Sequence, residues 1–111
     1  MLVSRSSPFG GKTRTLVLVA FGLLEESFPR ELARVLETPL NGIQQALKGL
    51  EADGIVSGRT AGRTRLFRVD PNYFARAELQ SYLRRLVEPE AKLVRRIAAL
   101  RRRPRRTGKP L

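Results

Sequence analysis

The segment from Asn41 to Lys48 carries amide and ammonium groups at a spacing that could read the edges of bases. Positions i, i+3, i+4 and i+7 share one face of an α-helix, and here they hold Asn41, Gln44, Gln45 and Lys48. Asparagine and glutamine can form paired hydrogen bonds with adenine in the major groove of duplex DNA. The alternative is an ordinary solvated surface, since glutamine and lysine are common helix formers.

A cluster of arginines follows about ten residues later and could neutralise phosphates. Arg59, Arg63 and Arg65 surround Gly62, and no acid lies between residues 59 and 65. Contacts to phosphates supply affinity and position, not sequence choice, and a basic loop tip can also enter a minor groove. The alternative interpretation is a loop whose charges only keep the protein soluble.

Two glycines, Gly42 and Gly49, interrupt the helix that would carry the amide groups. Each costs about 1 kcal/mol relative to alanine in a helix interior. Gly42 falls in the first turn, where a bare backbone could approach a phosphate at the helix N-terminus. For Gly49 the sequence offers no comparable reason.

Apolar spacing and helix breakers predict three helices before residue 54. The first runs from Lys12 or Thr13 to Leu24. The second opens at Phe28-Pro29, since proline suits the first helical turn, and ends in a four-residue turn, 37–40, that contains a second proline. The third, about Asn41 to Asp53, has Asn41 as its N-cap and Gln44 at the capping-box position.

The remainder of the chain is predicted to form a hairpin and two further helices. Strands at 55–59 and 65–69 flank Gly62 as the turn residue. Helices follow from about Tyr73 to Val87 and from Glu90 to about Arg102, separated by Pro89. The predicted fold is mostly α with a small β-hairpin. This is a winged helix-turn-helix, a three-helix core plus a wing, with a C-terminal helical arm.

The order and spacing of these signals resemble the winged helix regulators of the ArsR-like group, including small winged helix domains found alone or beside minimal nucleotidyltransferases. The resemblance covers about residues 12 to 87. It is carried by Arg30-Glu31-Leu32-Ala33, Thr38-Pro39-Leu40-Asn41-Gly42-Ile43-Gln44, the segment Leu47 to Val56, and the Gly/Arg-rich wing from Gly58 to Arg65. It implies a DNA-binding transcriptional regulator whose third helix enters the major groove and whose wing lies on the backbone or in the minor groove.

The arm helices carry a stripe of leucine and isoleucine side chains that the resemblance implies is a homodimer interface. Near-heptad spacing suits a helix–helix seam, and a dimer matches the two-fold symmetry of typical operators. The alternative is that the arm folds back on its own domain. The stripe consists of Leu79, Leu83, Leu86, Leu93, Ile97 and Leu100.

These elements divide the chain into three predicted parts. Residues 12–87 form the winged helix domain, residues 88–103 form a C-terminal helix that serves dimerisation, and residues 104–111 form a basic flexible tail. The 41% hydrophobic content of the 111 residues supports one packed domain.

Composition narrows the classes of function. The chain has 22 lysines and arginines against 10 acids, a formal net charge of +12, which favours a polyanionic partner such as double-stranded DNA. It contains neither cysteine nor histidine, so thiolate sites, disulfides, the commonest metal ligand and the usual general base are missing. We therefore predict no catalytic residues, no metal site and no cofactor, and no metal sensing of the kind that relatives perform with Cys or His.

The sequence also bears on the cellular location of the protein and leaves two alternative functions open. The start of the chain lacks a signal-peptide core, and the longest apolar run, Leu16 to Leu24, is too short to span a bilayer. We therefore expect a cytoplasmic protein without a membrane partner. The alternatives to a sequence-specific regulator are a protein-interaction or regulatory partner of a nucleotidyltransferase or toxin, and a nucleoid protein without sequence preference.

Overall fold

Five helices and one two-stranded hairpin make up the structure, a computed structural model that describes residues 10–88 and 91–102, without the side chains of residues 91, 101 and 102. The predicted order of elements is confirmed, while the predicted tail, 104–111, lies outside the described residues. The elements are α1 (Lys12–Phe21), α2 (Pro29–Leu36), α3 (Leu40–Ala52), β1 (Val56–Ala61), β2 (Thr64–Val69), α4 (Arg76–Val87) and α5 (Ala91–Arg102).

Helix α1 is the centre of the core, because residues 15–21 are all buried and the helix packs against α2, α3, α4 and β2. It ends at Phe21, three residues earlier than predicted. The N–H of Gly22 closes it by donating to the carbonyls of Leu18 and Val19. A Cβ atom on Gly22 would lie 3.2 Å from the Cβ of Leu83, so glycine also permits the close approach of α1 and α4.

Helices α2 and α3 form the helix-turn-helix, and the turn differs from the prediction in one detail. The predicted N-cap at Asn41 is wrong, because α3 begins at Leu40 and its N-cap is Pro39. Proline fixes φ near the value that an extended cap residue needs, and its carbonyl accepts the N–H of Ile43 at 3.2 Å. Asn41 therefore lies inside the first turn with its side chain exposed, and no side-chain cap bond forms.

Strands β1 and β2, residues 56–69 with their turn, form the wing. They pair antiparallel with Val56 opposite Val69 and Ala61 opposite Thr64, so the strands extend closer to the turn than predicted. Gly62 adopts a φ of +66° there, a conformation that glycine tolerates best. The wing is fixed to the core through Phe67, whose backbone exchanges two hydrogen bonds with Ser27, of 2.8 and 3.0 Å.

The C-terminal arm folds back on the chain that carries it. Helix α4 packs on α1, and α5 packs on α2. Leu83 is 1% exposed and Ile97 is 3% exposed, and Leu79 and Leu93 are also buried. Only Leu86 and Leu100 of the predicted dimer stripe keep part of their surface. The stripe as a whole is thus not free to join two copies, because the apolar surfaces of α1 and α2 already cover most of it.

Candidate nucleic-acid interface

A groove of about 640 Å³ lies between the outer side of α3 and the wing, and we call it the front groove. Residues at the start of α2 also line it. Its polar lining comes from three elements, each fixed to the core by buried apolar residues: Leu32 in α2, Leu47 in α3 and Phe67 in β2. The polar or charged side chains that line it are Arg30, Gln44, Lys48, Glu51, Arg63, Thr64 and Arg65.

The four predicted base-contacting residues are all exposed on α3. Helical geometry places them on one side of that helix, and Gln44 and Lys48 also line the front groove. Asn41 and Gln45 lie outside the groove lining. This arrangement leaves a continuous polar surface on α3, with the amides of glutamine and asparagine available to a partner.

Gly42 shows no need for a bare backbone within this chain. A Cβ atom there would lie 3.7 Å from Cγ2 of Thr38, which is ordinary van der Waals contact. At Gly49, by contrast, the structure explains why a side chain is excluded. Its Cβ atom would lie 2.0 Å from Nη2 of Arg14, since that side chain crosses α3 to place Nη1 2.9 Å from Oδ2 of Asp53.

The structure separates the three wing arginines that the sequence grouped together. Side chains alternate between the two faces of a strand, so Arg65 faces the front groove and Arg59 faces the rear. There Nε and Nη2 of Arg59 lie 3.0 and 3.1 Å from the carboxylate oxygens of Glu26. The hydrogen bond raises the pKa of Arg59 and lowers that of Glu26. Arg59 therefore does not line the front groove, and its contact with the DNA backbone stays a prediction.

Arg65 does line the front groove, but it is also paired. Its Nη2 lies 2.9 Å from Oε2 of Glu51, and its Nη1 lies 3.3 Å from Oε1. These hydrogen bonds raise the pKa of Arg65. The guanidinium carbon also lies 4.9 Å from the ring centre of Phe67, within the range of a cation–π contact. Glu51 was not among the predicted site residues, because an acid on a basic surface gives no signal without its partner.

Three cations of the front groove have no carboxylate partner among residues 10–88 and 91–102, and we call them the groove cations: Arg30, Lys48 and Arg63. Arg63 stands at the wing tip and Lys48 on α3. Arg30 was missed by the sequence analysis, although its place directly after Pro29 in the first turn of α2 could have indicated an exposed cation beside α3. Together the three leave the groove with a net positive charge.

Arg96 shows that some basic residues of the arm serve the fold instead. Its Nη1 donates to the carbonyl of Val35 at 2.8 Å, and its Nη2 pairs with the carboxylate of Glu37. This satisfies a carbonyl at the end of α2 that has no partner within the helix. Hydrogen bonding by Arg96 also lowers the pKa of Glu37.

Metal and membrane sites are not indicated by the part of the chain that the structure describes. Within it, no three acidic, histidine or cysteine side chains come close enough together to hold a metal ion. None of its helices combines the length and the apolar character needed to cross a bilayer.

Comparison with known proteins yields solved structures only. No protein-family model matches the chain, and no curated protein matches its sequence. Reduced HlyU from Vibrio cholerae is 21% identical over 81% of this chain and 82% of its own, with a TM-score of 0.56. The adhesin competence repressor AdcR from Streptococcus pyogenes is 14% identical over 79% of this chain, with a TM-score of 0.59, and the match spans only 65% of AdcR.

A variant of ZitR from Lactococcus lactis gives a similar result, with 14% identity over 86% of this chain and 75% of its own and a TM-score of 0.54. At these identities the likeness concerns the fold and not the subgroup within it. The element order, the antiparallel wing and the agreement with HlyU and AdcR together show that this chain has the winged helix-turn-helix fold.

Proposed function

We propose that this chain is a DNA-binding transcriptional regulator. The observation that carries the proposal is the front groove, in which three cations without a carboxylate partner in the described part of the chain lie beside the exposed amides of α3. Phosphates attract the cations whatever the sequence of the DNA, while the amides can distinguish bases. AdcR, which shares the fold, is named a repressor, and a role of that kind is consistent with this surface.

In the proposed complex, α3 lies in the major groove of duplex DNA. Its 13 residues give a length of about 20 Å, and a major groove about 12 Å wide admits one helix. Base edges are then contacted by Asn41, Gln44, Gln45 and Lys48.

The remaining groove cations contact the phosphates on either side of α3. Arg63 at the wing tip lies on the backbone or in the adjacent minor groove. Arg30 meets a phosphate at the start of α2, where the helix dipole also favours an anion. Gly42 offers a backbone contact at the start of α3.

We further propose that the regulator acts in the cytoplasm as a homodimer, since two copies would match a two-fold operator. The interface would use surface that the fold has not already buried. Of the predicted stripe this leaves Leu86 and Leu100, which are partly exposed.

The test compares two arginines on opposite faces of the same wing. Arg63→Gln removes a groove cation. Arg68→Gln removes an exposed cation on the opposite face of the wing, in a cavity of about 450 Å³ that Glu26 and Arg59 also line. Affinity for a short duplex is measured over a range of salt concentrations. We expect Arg63→Gln to reduce the slope of log affinity against log salt by about 0.9, the contribution of one phosphate, and Arg68→Gln to leave it unchanged. Equal losses in both variants would contradict the assignment of the front groove.

A further inference from the structure

Glu51 is the one acidic side chain among the described residues that line the front groove. It lies in the last turn of α3, and its side chain is 36% exposed. A carboxylate at this place opposes phosphates, because like charges across an interface repel. If DNA binds here, some other role must account for an acid on this surface.

The partner of Glu51 is Arg65, and three contacts hold that arginine in place. The carboxylate takes two hydrogen bonds from the guanidinium, of 2.9 and 3.3 Å, a charge-assisted pairing stronger than a neutral one. The ring of Phe67 lies beneath it. Gly58 leaves room for the guanidinium, since a Cβ atom there would lie 2.7 Å from Nη2 of Arg65.

Arg63 lies only two residues away, lines the same groove and has no carboxylate partner in the described part of the chain. The two arginines therefore differ in what they can offer a phosphate. Arg63 is free to contact a phosphate, since no carboxylate in the described part of the chain pairs with it. Arg65 would first have to break its contacts with the carboxylate of Glu51, the ring of Phe67 and the backbone at Gly58. The Glu51–Arg65 pair also joins α3 directly to the wing.

We propose that Glu51 is a specificity-determining residue, which positions the wing through Arg65 and withholds the charge of Arg65 from the DNA backbone. This inference rests on the proposed function. Withholding one phosphate contact lowers the sequence-independent part of the affinity. The base contacts of α3 then make up a larger share of the total, so the protein discriminates better between its operator and other DNA.

The test is Glu51→Gln, which keeps the size of the side chain and removes its charge. The probe is a short duplex of mixed sequence, so no operator is needed. Release of Arg65 should steepen the salt slope by about 0.9. Across a fourfold range of salt this changes the ratio of affinities by about 3.5-fold.

Two controls separate this effect from a general change in charge. Asp53→Asn removes an acid from the end of α3 that pairs with Arg14 and does not line the groove, and it should leave the slope unchanged. The double variant Glu51→Gln/Arg65→Gln should return to the slope of the wild type. Circular dichroism confirms that each variant is folded.

The outcomes distinguish this inference from the function on which it rests. A wild type that does not bind DNA at low salt would overturn both. A wild type that binds, with Glu51→Gln matching Asp53→Asn in slope, would overturn the role of Glu51 alone. Should Glu51→Gln not fold, the double variant decides, because a slope about 0.9 below that of the wild type would mean that Arg65 already neutralises a phosphate.

Discussion

The front groove and the C-terminal arm both carry basic side chains, but they use them differently. In the front groove, Lys48 and Arg63 line the surface without a carboxylate partner in the described part of the chain. In the arm, Arg96 turns inward to the end of α2 and binds Val35 and Glu37. The groove cations are exposed, whereas Arg96 in the arm is paired and joins α5 to the end of α2.

This difference shows that a count of basic residues overstates the contacts available to a nucleic acid. Four arginines on four different elements each pair with a carboxylate of the same chain, and these pairs fix helices or the wing. What matters for binding is the subset left unpaired on one surface. The paired arginines are Arg14, Arg59, Arg65 and Arg96.

The largest effect on stability should come from truncating the apolar side chains of the arm, because they belong to the core. Leu93→Ala and Ile97→Ala should each lower the free energy of unfolding by about 2–5 kcal/mol. Val94→Ala, at a position 38% exposed, should have little effect. Chemical denaturation measures all three. A loss of dimer without a loss of stability in the first two variants would show that the arm is an interface instead.

The next effect concerns the amides of α3 and distinguishes a regulator from a nucleoid protein without sequence preference. An operator is first selected from random duplexes. Gln44→Ala should then reduce the free-energy difference between operator and mixed-sequence DNA by about 1–3 kcal/mol, the value of a bidentate base contact. Gln80→Ala on α4 is the control. Selection that yields no preferred sequence would favour the nucleoid protein.

The smallest expected effect is on the pH dependence of stability, through the ion pair between Arg96 of α5 and Glu37 at the end of α2. Hydrogen bonding by Arg96 holds the pKa of Glu37 in the folded state below its ordinary value of 4.5. A carboxyl whose pKa is lowered by folding stabilises the protein above its unfolded value, and this contribution disappears as the pH falls through the folded value.

Glu37→Gln should therefore be less stable than the wild type at pH 7, and the difference should shrink as the pH falls below about 4.5. Glu25→Gln, at an exposed acid without an ion pair in the described part of the chain, serves as the control. Thermal unfolding at several pH values gives the comparison. Equal melting temperatures of the two variants at every pH would contradict a stabilising ion pair between Glu37 and Arg96.

The order of elements was predictable because it depends on local signals, such as Pro29 at a helix start and Gly62 in a turn. Features that depend on packing were not predictable from the sequence. Apolar spacing in α4 and α5 is the same whether the arm covers its own core or a second copy, so the sequence could not decide between them. Asn41 was misassigned as a cap because Pro39, two residues earlier, already provides an extended one.

The exposed side of α3 was predictable from the sequence, whereas the ion pairs of the wing arginines were not. Helical spacing alone places Gln44 and Lys48 on one exposed side. The wing arginines looked equivalent because their partners lie far away in sequence, with Glu26 33 residues and Glu51 14 residues distant. Gly49 likewise made sense only once the path of Arg14 was known.

The most direct test of the proposed DNA interface replaces all three groove cations at once. Arg30→Gln/Lys48→Gln/Arg63→Gln is compared with a triple variant of equal charge on the arm, Arg76→Gln/Arg85→Gln/Arg95→Gln, whose positions are exposed on α4 and α5. The salt slope of binding to duplex DNA is measured for both. We expect the groove variant to lose about 1.8 from the slope, the contribution of the two phosphates assigned to Arg30 and Arg63, while the arm variant stays close to the wild type. Equal losses, or a loss confined to the arm variant, would contradict the proposed interface.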